Sequence, residues 1–142
     1  MEAMWALGRI GPSSEQAIPV LVRLAKLGEL SWYERNKIEE TLRDIGSKAR
    51  LAREDVIHFN QALAAQELPE KIQALNSASP EEVGHAADAL ATMGAYALPA
   101  LPALQNRLAE INGDGKYSES AGTRIKAAVN SISSAGRASG LK

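Results

Sequence analysis

The chain has 142 residues, a formal net charge of −1 and no cysteine. Disulfides and thiolate metal sites are thereby excluded, a strongly basic nucleic-acid surface is argued against, and the length suits about one domain burying roughly two thirds of its unfolded surface. Hydrophobic residues make up 45% but aromatics only 4%, so the core must be aliphatic and alanine-rich, which suits close helix–helix packing better than a β-sandwich.

Four segments share one spacing, apolar, four on, then three on: Ala3-Leu7-Ile10, Ile38-Leu42-Ile45, Ala86-Leu90-Met93 and Ile125-Val129-Ile132. That spacing lines one face of a helix. The middle members lie 35, 48 and 39 residues apart, which marks them as first helices of successive repeats. The first, over about 2–10, is short, so the expectation is either a piece of a longer array or a degenerate terminal repeat. Ser13 and Ser14 open its partner helix, with Ala17, Leu21, Leu24 and Gly28 along one face, Arg23 and Lys26 off it, and Gly28 as the stop. Ser31-Trp32-Tyr33-Glu34 is a capping box and starts the second repeat, whose first helix Gly46 ends. The stripe Ala49, Ala52, Val56, Phe59, Leu63 predicts a helix over 47–66. Leu68-Pro69 is expected to break it, with a short extra helix to Asn76.

Ser79-Pro80-Glu81-Glu82 combines a cap, a first-turn proline and a second capping box. The helix it opens carries Val83, Ala86/Ala87, Leu90 and Met93 on one face, and Gly94 ends it. Ala97, Leu101, Leu104, Leu108 and Ile111 form the next stripe. Pro99 suits a first turn, while Pro102 either starts the helix proper or kinks it. Asn112-Gly113-Asp114-Gly115 reads as a loop. A last helix is expected over 118–135, leaving a frayed tail at 136–142, one domain over 1–135, and a fourth repeat without its second helix.

Two stretches carry a recognisable motif. Ala6-Leu7-Gly8-Arg9-Ile10-Gly11 is followed by Ala17-Ile18-Pro19-Val20-Leu21, and Ala89-Leu90-Ala91-Thr92-Met93-Gly94 by Ala97-Leu98-Pro99-Ala100-Leu101. This resembles the bacterial HEAT-like repeat also seen in phycobilin lyases, A-L-G-x-[IM]-G then A-[IV]-P-x-L, with Ala91 where glycine is usual. The resemblance implies an all-α, right-handed solenoid of antiparallel helix pairs, about seven to eight helices, whose second helices line the concave face. Each pair shelters the apolar side of the next. Leu7, Ile10, Leu21, Leu24, Leu42, Ile45, Val56, Leu90, Leu101, Leu104 and Val129 are expected to be buried.

Candidate chemistry is sparse. Glu54 and Asp55 lie four and three residues before His58, a spacing that supplies two metal ligands, and His85/Asp88 is the only comparable pair; a solvated face is the simpler account. The His-Glu steps of di-iron HEAT hydroxylases are missing. Serines sit at caps and turns, and the Asn112–Lys116 loop lacks the glycine and lysine pattern of a P-loop and the regular acidic ligands of an EF-hand. Arg23, Lys26, Arg50, Arg53 and Arg107 fall on second helices and could track phosphates, but Glu54, Asp55 and Glu110 interrupt them. Trp32 and Tyr33 lie off the Ile38 stripe, either packing on a neighbouring repeat or contacting a partner.

The expected function is a non-enzymatic scaffold binding a protein or peptide along the second-helix face, with Arg23, Lys26, Trp32, Tyr33, Arg50, Arg53, His58 and Arg107 as candidate contacts. No catalytic residue, cofactor or metal ligand is assigned. A lyase- or glycosylase-like enzyme and a nucleic-acid-binding module are the alternatives, the latter disfavoured by charge. No apolar run approaches the roughly 20 residues that cross a bilayer, and no signal peptide is visible after Met1, so a cytoplasmic location is expected. Uncapped repeat ends suggest self-association through an end.

Overall fold

A computed structural model describes residues 15–27, 29–113 and 119–139. Among them the chain is all-helical, without strands: α1 (Ile18–Ala25), α2 (Trp32–Ile45), α3 (Arg50–Ala74), α4 (Pro80–Met93), α5 (Leu101–Gly113) and α6 (Glu119–Ser139), with 3-10 segments at Ser47–Ala49 and Gly94–Ala100. The helix expected over 2–10, with Leu7 and Ile10, lies outside the described residues. Backbone contacts divide the chain into two compact units, Met1–Leu63 and Ala64–Lys142, and the division falls within α3.

In the first unit, Pro19 sits in the first turn of α1, where a missing N–H costs nothing. The helix ends at Ala25, earlier than the expected Gly28, when the Lys26 N–H folds back onto the carbonyls of Val22 and Arg23. The capping box at the start of α2 is fully formed. The Ser31 hydroxyl accepts from the Glu34 N–H at 3.2 Å, and the Glu34 carboxylate accepts from the Ser31 N–H at 2.8 Å. Leu21, Ala25, Ile38, Leu42, Ile45, Ala49 and Val56 form the buried core, with Leu24 only half-buried at its margin. Each fully buried large aliphatic side chain contributes about 1.5–3 kcal/mol.

One charged side chain is part of this core. Arg35 is 1% exposed. Its Nη1 donates to the Ala25 carbonyl at 2.7 Å and its Nη2 to the Leu27 carbonyl at 3.0 Å, so the guanidinium satisfies carbonyls at the end of α1 and in the turn beyond it. Nη1 also reaches Asn60 Oδ1 at 3.4 Å, and Asn60 Nδ2 donates to Glu39 at 3.0 Å. The rings of Trp32 and Phe59 stand 5.9 Å and 5.7 Å from Arg35 Cζ, within cation–π range. Asn60 is fully buried, whereas Phe59 and Leu63, named in the expected stripe, are half-buried. The buried face of α3 runs through Val56, Asn60, Ala64 and Leu68 instead.

Helix α3 continues to Ala74 with Pro69 inside it, where a break was expected. A mid-helix proline leaves the carbonyl four residues back without its donor. Here that residue, Ala65, is exposed, as is Pro69 itself, so water can serve the carbonyl. Burial of Leu68 and Leu75 on either side of Pro69 favours keeping the helix intact.

In the second unit, the Ser79 hydroxyl caps α4 by accepting from the Glu82 N–H. Glu82 does not close a box, because its carboxylate accepts from the Ser77 hydroxyl instead. Pro99 lies within the 3-10 segment and Pro102 in the first turn of α5, so Pro102 starts the helix rather than kinking it. Helix α6 packs against α4, the 3-10 segment and α5 through Ala121, Ile125, Ala128 and Ile132. Val129 and Leu101, expected inside, are half-buried; the small Ala128 takes the close contact instead. Helix α6 also runs on to Ser139, past the expected end at Ala135. Gly136 is buried against Leu98, where a Cβ would come within 2.7 Å of a methyl group.

Gly46 and Gly94 end α2 and α4 with φ of 107° and 62°, conformations that side chains rarely adopt. Gly46→Ala is therefore expected to cost about 1–3 kcal/mol of stability, measurable by urea unfolding. Arg35→Met leaves two backbone carbonyls without their donor, and a loss of about 3 kcal/mol is expected in the same assay.

Candidate functional site

Two ion pairs fix how α1 and α3 lie in the first unit. Glu15, just before α1, meets Lys48, just before α3, at 3.0 Å. Lys26, just after α1, meets Asp55 at 2.8 Å. The two helices therefore run side by side in the same direction. Both pairs are about half-exposed, so they align the helices more than they stabilise them.

Each helix of this pair has one large aliphatic side chain open to solvent. Val20 on α1 is 62% exposed and Leu51 on α3 is 71% exposed. Arg23 follows Val20 by three residues, and Glu54, Asp55 and His58 follow Leu51 by three, four and seven, spacings that share a helix face. Arg23, Arg50 and His58 are exposed and Arg53 is half-buried. The Nε of Arg53 is buried without a hydrogen-bond acceptor among the described residues.

The other expected contacts are placed differently. Trp32 is buried, 9% exposed, because it shares the inward face of α2 with Arg35, Ile38, Leu42 and Ile45. It is a packing residue, whereas neighbouring Tyr33 is exposed. Arg107 belongs to the second unit. Its Nη2 donates to the Ser77 carbonyl at 2.9 Å and its Nη1 to Glu110 at 2.9 Å, which pins the turn before α4 to α5. The residue that sequence reasoning passed over is Arg35. Its signal is positional: it occupies the buried Trp32–Ile38–Leu42 face, where a charge needs partners.

Neither of the two acid–histidine spacings is gathered into a larger cluster. Asp55 is engaged by Lys26 and Asp88 by Arg124, while His85 lies 3.8 Å from Glu81. No group of three or more histidine, aspartate or glutamate side chains converges among the described residues. Asn112 and Gly113, expected to begin a loop, belong to the end of α5, and residues 114–116 lie outside the described residues. Hollows among the described residues include the following. One, of about 580 Å³, is lined by Leu27, Glu29, Leu30 and Glu34. Another, of about 380 Å³ in the second unit, is lined by Glu70, Lys71, Ala74, Glu82, His85 and Ala86.

Large hydrophobic side chains open to solvent among the described residues are Val20, Leu27, Tyr33 and Leu51, all in the first unit. The outward face of α6 carries Thr123, Lys126, Asn130 and Ser134. No described helix is long and apolar enough to cross a membrane.

The N-terminal part of α1 follows the Ala17–Leu21 motif, and α1 is one of a co-directional helix pair. Residues 1–26 match the PBS lyase HEAT-like repeat. The match covers both halves of the N-terminal motif, Ala6–Gly11 and Ala17–Leu21, and bears out the HEAT-like resemblance there. No curated protein and no solved structure matches the chain.

Glu34 borders the hollow beside α1. Hydrogen bonds from the Ser31 N–H and hydroxyl hold its carboxyl below the ordinary glutamate range. A lowered folded-state pKa means that the stabilisation is complete above the ordinary value and is lost as pH falls through the lowered one. The stability difference between wild type and Glu34→Gln is therefore expected to be flat from neutral pH down to the ordinary glutamate pKa and to shrink below it, as followed by urea unfolding across that range.

Proposed function

We propose that this chain is a HEAT-like helical-repeat scaffold of the solenoid type, without catalytic activity of its own, that binds a protein or peptide along its second helices. The observation that carries this reading is the exposure of Val20 and Leu51 on two helices that run side by side. An isolated surface leucine needs no explanation, but apolar side chains more than 60% exposed on adjacent, aligned helices offer a partner apolar area to cover. The HEAT-like match over residues 1–26 supports the assignment of α1 to the groove side. Because a fold hosts many functions, the argument rests on this surface and not on the repeat alone.

A Val20→Ser/Leu51→Ser double variant tests the reading. Both side chains face solvent, so its stability is expected to stay within about 1 kcal/mol of wild type, surface changes being usually within about 0.5 kcal/mol each. Its affinity for a peptide selected on the wild-type chain is expected to fall about tenfold or more, read by fluorescence anisotropy. Unchanged affinity would move the binding surface elsewhere.

A further inference from the structure

We draw no further inference here: the strongest candidate, the hollow at the turn between α1 and α2 lined by Leu27, Glu29, Leu30 and Glu34, offers only two carboxylates beside two leucines, and nothing in the structure shows what covers it.

Discussion

The first unit depends on a charge placed where charges are costly. Arg35 is removed from water almost completely, and a buried guanidinium is tolerated only when its donors are met. Here they are met by the carbonyls at the end of α1, by Asn60 on α3 and, through Asn60, by Glu39 on α2. Because a helix leaves its last carbonyls unsatisfied, Arg35 uses the open end of α1 as its counterweight. The same contacts locate that end. Lys26 lies one residue beyond Ala25, so the ion pair to Asp55 and the outward presentation of Val20 both follow from where Arg35 holds the chain.

The second unit relies on a different device. Its interior is built largely of alanine and small aliphatic side chains, with Ala86, Ala87, Ala95, Ala97, Ala100, Ala121 and Ala128 all buried. Arginine is kept to the margin. Arg124 lies across the buried Gly84 and pairs with Asp88, joining α6 to α4, and Arg107 braces the turn at Ser77. Small residues permit close helix contact, and the arginines tie the edges of those contacts rather than their centres.

The glycine stops of α2 and α4 and most of the core were legible because they depend on local chemistry. Gly46 and Gly94 adopt positive φ where the sequence places a glycine after a stripe, and the Ser31–Glu34 box forms as its spacing requires. Errors arose where tertiary contacts override a local rule. Pro69 does not end α3, because Ala65, whose carbonyl loses its donor, is an exposed residue and Leu68 and Leu75 are buried on either side. Trp32 turns inward because the buried face of α2 begins three residues before Arg35, and a charge at a stripe position hides that face from a reading based on apolar spacing. On the candidate surface, Arg23, Arg50 and His58 are exposed. That Arg107 is spent on the Ser77 carbonyl could not be read from spacing, since the two are 30 residues apart.

The enclosure of Trp32 beside a guanidinium has a spectroscopic consequence. The only tryptophans of the chain are Trp5 and Trp32, and both precede Ala64. Indole emission therefore monitors the amino-terminal half, where solvent entry around Trp32 would shift it to longer wavelength, whereas the alanine-rich half is silent to this probe. A melting curve recorded by indole fluorescence and one recorded by amide ellipticity follow different parts of the chain, and any gap between their midpoints measures how independently the halves unfold.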